Sequence, residues 1–172
     1  MKKIIFITGG ARSGKSDFAL KEASGISGKK AYIATAEALD EEMRKRIEEH
    51  KKKRGEGWDT YEEPLRIDYV IKETESEYSA IVIDCMTIWL SNLLHGNYDV
   101  MNEIESITDA LRITDNVSRI YIISNEVGLG IVPDNEMARR FRDMAGILNQ
   151  KVAKIADEVY LVTAGIPVKI KG

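Results

Sequence analysis

Lys3-Ile-Ile-Phe-Ile-Thr-Gly-Gly-Ala-Arg-Ser-Gly-Lys-Ser16 is the stretch on which the fold turns. Its first part, Lys3 to Thr8, is a short apolar run rich in β-branched residues, the pattern of a buried strand. Paired glycines end the run, and Gly9 to Ser16 fits G-x-x-x-x-G-K-[ST] in full. From Ser16 to Ala23 the spacing is helical, with Phe18, Ala19 and Leu20 available to face a core. Strand, glycine loop and helix in that order make an anion cradle. The glycines let consecutive N–H groups converge on one point, and the helix presents its positive end to the same place. In such a cradle Lys15 supplies a charge to the β- and γ-phosphates of a nucleotide, and the Ser16 hydroxyl reaches Mg²⁺. The expected nucleotide contacts therefore begin with Gly9, Gly10, Ala11, Arg12, Ser13, Gly14, Lys15 and Ser16.

Working outward, Lys29–Thr35, Ala80–Asp84, Arg119–Ser124 and Glu158–Thr163 read as further strands. Helical stretches lie between them, from about Ala38 to Lys53, Met86 to Leu94, Val100 to Ile113 and Asn135 to Ala156. Pro133 and Asp134 supply a start signal for the last helix. Lys51 to Gly57 fits a helix end, a loop or a flap. Strands alternating with helices imply a parallel sheet covered on both faces, and near-continuous apolar strands agree with that. Ala164-Gly165 can turn the chain back into Val168–Ile170, whose flanking Pro167, Lys169 and Lys171 suit an exposed antiparallel edge. The expectation is an α/β fold of the P-loop NTPase, RecA-like type, with a mostly parallel sheet flanked by helices and a C-terminal antiparallel hairpin. At roughly 150 residues per domain, a chain of 172 residues is expected to form one domain over 1–172.

Apolar residues make up 44% and charged residues 31% of the chain, an ordinary globular composition. No apolar run approaches the ~20 residues of a membrane span, and no signal-peptide pattern opens the chain. Membrane insertion is therefore not expected; one cysteine excludes an intrachain disulfide framework and a multi-cysteine zinc site, and the cytoplasm is the expected address. A formal net charge of −3 argues against broad nucleic-acid binding.

A carboxylate at the end of another buried strand should partner the cradle through a metal, and Asp84 closes Ile81-Val-Ile83. A helix cap is its alternative role. Ser16 and Asp84 are thus the expected metal pair. Cys85 reads as a small buried neighbour. Ser124-Asn-Glu-Val-Gly128 lacks the lysine and aspartate of a switch-GTPase guanine tetrad, and the basic residues cluster at Lys51–Arg54 rather than in stripes along a nucleic acid. Phosphoryl transfer to a small molecule is the remaining default.

Helical spacing puts Met43, Ile47, His50 and Arg54 on one face of the polar segment Asp40 to Arg54. An imidazole and a guanidinium then point the same way, with Lys51, Lys52 and Lys53 beside them, a grouping suited to a polyphosphate. An unperturbed imidazole, with a pKa of about 6.5, is mostly neutral at pH 7 and can act as base or nucleophile on phosphorus. A solvated histidine on a polar helix is the plain alternative. His95 precedes Gly96 at a helix end, where the helix dipole and a glycine cap account for it.

Gly9-Gly-Ala-Arg-Ser-Gly-Lys-Ser16, Ile33-Ala-Thr35, Asp40-x-Glu42-Met43, Arg46-Ile47-x-x-His50, Trp58-x-Thr60 with Glu62, and Asn125-Glu-Val-Gly-x-Gly-Ile-Val-Pro133 follow one another along the chain. In this the sequence resembles the bifunctional adenosylcobinamide kinase / adenosylcobinamide-phosphate guanylyltransferase family of cobalamin biosynthesis, from Ile4 to Lys171. The resemblance implies two reactions. ATP or GTP phosphorylates the aminopropanol hydroxyl of adenosylcobinamide; GMP is then transferred from GTP, through a guanylyl-histidine, to adenosylcobinamide phosphate, giving adenosylcobinamide-GDP and pyrophosphate. It implies His50 as the guanylylated residue; Lys15, which the cradle aims at the β- and γ-phosphates, is the second expected catalytic residue. It also implies nucleotide contacts at Gly9 to Ser16, Ala34, Thr35, Ala36, Lys51, Lys52, Lys53, Arg54, Glu62 and Asp84, with Mg²⁺ as cofactor. A homo-oligomer, a trimer in the family, is expected.

Glu62 has the chemistry to accept from guanine N1–H and the 2-amino group, or to be a surface carboxylate. Position 84 is aspartate where family members can carry glutamate, and either serves Mg²⁺. Leu65 to Tyr78 shows no family feature. Glu126 either faces the site or belongs to a turn shaped by Gly128 and Gly130. Arg139, Arg140 and Arg142 either reach a phosphate across a subunit boundary or form a solvated face. Two rival functions stand beside the family reading: a monofunctional P-loop kinase of another small alcohol, and a nucleotide-gated binding module.

Overall fold

β1 (Lys3–Gly9) is buried along nearly its whole length because it lies inside the sheet, hydrogen-bonded in parallel to β5 (Arg119–Asn125) on one side and β6 (Glu158–Thr163) on the other. The structure is a computed structural model. It describes residues 2–38, 41–55 and 57–172, without the side chains at positions 42, 43, 46, 50 and 53. Asp40 and the side chains of Glu42, Met43, Arg46, His50 and Lys53 therefore lie outside the described residues. The remaining strands are β2 (Lys30–Ala34), β3 (Trp58–Glu62), β4 (Ala80–Asp84) and β7 (Ile166–Lys171). They complete a seven-stranded sheet of order β3-β2-β4-β5-β1-β6-β7. Every pairing is parallel except β6 with β7, which are antiparallel.

The helices are α1 (Lys15–Ser24), α2 (Glu41–Arg54), α3 (Ile67–Thr74), α4 (Met86–His95), α5 (Val100–Ile113) and α6 (Glu136–Ile155). Alternate residues of the central strands enter opposite cores, as the pleat dictates. Ile4, Phe6, Ile33, Ile81, Ile83, Ile120 and Ile122 pack with the apolar faces of α3, α4, α5 and α6. Ile5, Ile7, Tyr32, Val82, Tyr121 and Ile123 pack on the other face with Ala19, Leu20 and Ala23 of α1. The two-sided burial explains why these strands read as unbroken apolar runs.

The P-loop architecture and the terminal hairpin agree with the sequence reading. Two elements were not foreseen. β3 is a polar edge strand parallel to β2, and its half-buried and exposed residues carry little hydrophobic signal. α3 occupies the segment that showed no feature, burying Ile67, Val70 and Ile71 in two turns. Of the three readings for Lys51 to Gly57, the helix end holds, since α2 runs to Arg54. Gly96 caps α4 after His95 as expected, its N–H donating to the Asn92 carbonyl at 3.0 Å, at φ −80°; the left-handed conformation falls to Asn97, at φ 56°. Gly96 also leaves room, because a Cβ there would lie 2.5 Å from the Tyr98 ring.

Candidate nucleotide site

The loop between β1 and α1 sits at the carboxyl ends of the strands, where the chain leaves β1 between two neighbours that come from distant parts of the sequence. That is the usual ligand position of such sheets. Gly9 and Gly14 adopt φ 148° and 98°, and both are also closely approached. A Cβ on Gly9 would lie 2.2 Å from the Val162 carbonyl oxygen, and one on Gly14 would lie 3.2 Å from Gly165 Cα. The Gly165 N–H donates to the Ser13 carbonyl at 2.9 Å. The turn of the terminal hairpin thus braces the glycine loop from behind. Ala164 and Gly165, at φ 51° and 80°, make that turn with both central residues left-handed.

Lys15 folds back over the loop. Its Nζ donates to the Gly9 and Gly10 carbonyls at 2.9 and 2.6 Å, and the residue is buried. Burial lowers the Lys15 pKa, while the charge of Asp84 acts in the opposite sense. At the first turn of α1 the Ser16 hydroxyl donates to Asp84 Oδ2 at 2.6 Å. The same oxygen accepts from the Tyr32 hydroxyl at 2.7 Å. A hydroxyl at the foot of the loop and the carboxylate that ends β4 are therefore in contact.

Above them opens a cavity of about 650 Å³, of nucleotide size. Ala11, Arg12, Ser13, Gly14, Lys15 and Ser16 form one wall, with Ala34, Ala36 and Asp84 from the strand ends. α2 contributes Ile47, Glu49, Lys51 and Arg54. Arg54 lies over the Tyr32 ring, with Cζ 4.0 Å from the centroid. Residue 50 is on the same helix, one turn from Ile47 and one turn from Arg54, and its side chain is outside the described set. Lys51 forms an ion pair with Glu62, which ends β3 and is not itself among the residues lining the cavity. Lys52 is exposed and does not line it either.

Thr35 is fully buried, and its hydroxyl is turned inward. It donates to the Cys85 carbonyl and accepts from the Cys85 N–H, both at 2.8 Å, joining the ends of β2 and β4. Glu126 belongs to a turn: its side chain accepts from the Gly128 N–H at 2.7 Å. Arg139 donates to the carbonyls of Pro133 and Asp134, and Arg142 bonds Asp143, so neither reaches toward the cavity. His95 interacts with the Ser91 carbonyl at 2.7 Å at the exposed end of α4.

Sequence reasoning missed Tyr32 and the apolar floor of Ile88 and Ile123, all of which line the cavity. Asn125, which opens one of the quoted motifs but was given no role, lines it too. The available signal for Tyr32 was a phenol interrupting the otherwise aliphatic run Ala31 to Ala34. Nothing in the local pattern marked Ile88 or Ile123.

Fold and cradle define a P-loop nucleotide-binding protein of RecA-like architecture. The RadB recombinase shares the fold with a TM-score of 0.54 at 15% identity, covering 92% of this chain and 73% of that one. An ATPase from a type III secretion system shares it with a TM-score of 0.59 at 13% identity, over 95% of this chain and 52% of that chain. Within that class, the chain belongs to the cobinamide kinase / cobinamide phosphate guanyltransferase family, whose model matches residues 5–170. It is 39% identical to the bifunctional adenosylcobalamin biosynthesis protein CobU of Escherichia coli, over 98% of this chain and 99% of that protein. It is 40% identical to the corresponding CobP of Pseudomonas aeruginosa, over 96% of each chain. Among the described residues, no helix is long and apolar enough to cross a membrane.

Proposed function

We propose that this chain phosphorylates the aminopropanol hydroxyl of adenosylcobinamide with ATP or GTP, and then transfers GMP from GTP to the resulting phosphate through a guanylated His50. The observation that carries the reading is the contact of Ser16 with Asp84 at the foot of the glycine loop, in a cavity whose opposite wall is the α2 helix bearing residue 50. In the first reaction the loop amides and Lys15 bind the triphosphate. Lys15 exchanges its two carbonyl partners for phosphate oxygens and offsets charge as the γ-phosphoryl group moves to the substrate hydroxyl.

In the second reaction a neutral His50 nitrogen attacks the α-phosphorus of GTP. A P–N bond forms, the bond from that phosphorus to the bridging oxygen breaks, and pyrophosphate leaves. An oxygen of adenosylcobinamide phosphate then attacks the same phosphorus, the P–N bond breaks, and neutral imidazole returns. Lys51, Lys52, Lys53 and Arg54 neutralise phosphate charge around the transfer, and Glu62 accepts from the guanine edge once it exchanges Lys51 for the base. Ser16 and Asp84 are two hard oxygen donors in contact beside the phosphate cradle, which fits Mg²⁺. The ion, when bound there, supplies charge neutralisation on the phosphate oxygens. Residues of the glycine loop and of α2 line the same cavity, which supports a single site for both transfers.

The lone cysteine supports a cytoplasmic setting. The exposed side chains of Leu129 and Ile131, 85% and 96% accessible, support a homo-oligomeric assembly, a trimer as in the family. Incubation with GTP labelled at the α-phosphate tests the central claim. Acid-labile, base-stable label is expected on the protein and should be lost in His50→Ala, which keeps phosphorylation of adenosylcobinamide within a few fold. Unlabelled wild-type protein would leave a monofunctional kinase in its place.

A further inference from the structure

Asp84 is held by more than its expected partner. The Tyr32 hydroxyl donates to the same carboxylate oxygen as Ser16, and Tyr32 is only 3% exposed. Its position follows from strand register: Tyr32 pairs with Val82 and Ala34 with Asp84, so the phenol must reach two residues along the sheet. At about 3.3 Å per residue that is close to the length of a tyrosine side chain. The ring is fixed on both sides. Trp58 of β3 meets it edge-on, with centroids 6.3 Å apart, and the Arg54 guanidinium lies over its face. Phenylalanine would fill the same apolar space without placing a polar group in it; the hydroxyl has a carboxylate to aim.

We propose that Tyr32 is the positioning residue of this site, aiming the Asp84 carboxylate through its hydroxyl and seating Arg54 of α2 on its ring. One side chain then sets the phosphate-side carboxylate and the last turn of α2 in register. The proposal rests on reading Ser16 and Asp84 as the Mg²⁺-holding pair. Its specific content is that Asp84 keeps its orientation when the Ser16 hydroxyl turns to another partner.

The test is Mg²⁺-dependent binding of the α,β-methylene analogue of GTP with adenosylcobinamide left out. The carbon bridge blocks transfer of GMP and the missing acceptor hydroxyl blocks γ-phosphoryl transfer to substrate, so neither transfer enters the measurement. Tyr32→Phe should raise the half-saturating Mg²⁺ concentration roughly tenfold, the scale on which outer partners of metal ligands act. Affinity for the analogue in EDTA should stay within about twofold, because the ring still seats Arg54. Tyr32→Leu should also weaken binding in EDTA, and adding Arg54→Met to it should cost less than Arg54→Met alone, since the seat is already gone. Asp84→Asn is the control and should abolish the Mg²⁺ dependence. If Tyr32→Phe titrates like the unaltered protein while Asp84→Asn loses the dependence, the role of Tyr32 is overturned and the metal pair stands. Should Asp84→Asn keep the dependence, the metal-pair reading falls, and this proposal with it.

Discussion

Cys85 shows how much a neighbour decides about a residue's chemistry. It follows Asp84 in sequence and lines the cavity, yet burial, reinforced by the Asp84 charge, pushes its thiol pKa up to about 12. The thiolate is the reactive form, so the native protein should resist thiol reagents at pH 8 and react quickly once unfolded. Timed labelling with and without denaturant checks this, and rapid modification of folded protein would contradict it. Thr35, across from it, is held by the Cys85 peptide on both its donor and its acceptor side. Thr35→Val keeps the shape and leaves a buried N–H and carbonyl without that hydroxyl. A loss of about 2 kcal/mol is expected in urea unfolding. The sequence placed Thr35 among the nucleotide contacts through its resemblance to a family motif; the structure gives the hydroxyl a strand-joining bond, which no local pattern encodes. The meeting of Lys15, Ser16 and Asp84 at one end of the sheet was legible, because the glycine-loop pattern locates the first two and the close of a buried strand the third.

Among the elements, the terminal hairpin has a role beyond closing the sheet edge. Its turn supports the glycine loop through Gly165, and its base is tied down at Glu158. That carboxylate bonds Lys3 of β1, accepts from the Tyr160 hydroxyl at 2.8 Å and pairs with Lys169 of β7 at 3.2 Å. These partners, Lys3 first, lower its pKa to about 2 from 4.5. A carboxylate whose pKa falls on folding stabilises the protein above its unfolded pKa, and the gain disappears as pH drops through the folded value. Glu158→Gln should therefore cost about 1 kcal/mol at pH 7, after allowance for solvent screening at this partly open site. The difference from the unaltered protein should shrink between pH 5 and pH 2, a trend that denaturant titrations across that range would reveal; a difference independent of pH would contradict it. β3 and α3 escaped the sequence reading for opposite reasons. Trp58–Glu62 is an edge strand whose exposed residues need no apolar pattern, and Ile67–Thr74 is too short for a helical period to stand out.

At the scale of the whole molecule, ligand binding and folding are linked, because the cavity wall draws on the glycine loop, β2, β4, β5, α1, α2 and α4 together. A ligand at a hundredfold excess over its dissociation constant adds about 2.7 kcal/mol to the folded state. For a chain of this size that corresponds to a rise of roughly 5–10 °C in melting temperature. Mg²⁺ with the α,β-methylene analogue of GTP should produce such a rise, and Asp84→Asn should remove its Mg²⁺-dependent part. An equal shift in both proteins would detach Asp84 from the ion.

The sequence by itself determined the cradle, the alternation of strand and helix, and the helix that carries Ile47, His50 and Arg54 at i, i+3 and i+7. Those depend on local stereochemistry and on periods of a few residues, which a linear pattern records. Tertiary structure alone decided the strand order, the bracing of Gly14 by Gly165, the inward turn of Thr35 and the convergence of Tyr32, Asp84 and Arg54. Each joins residues separated by many positions through parallel register and side-chain reach, quantities that exist only after the sheet has formed.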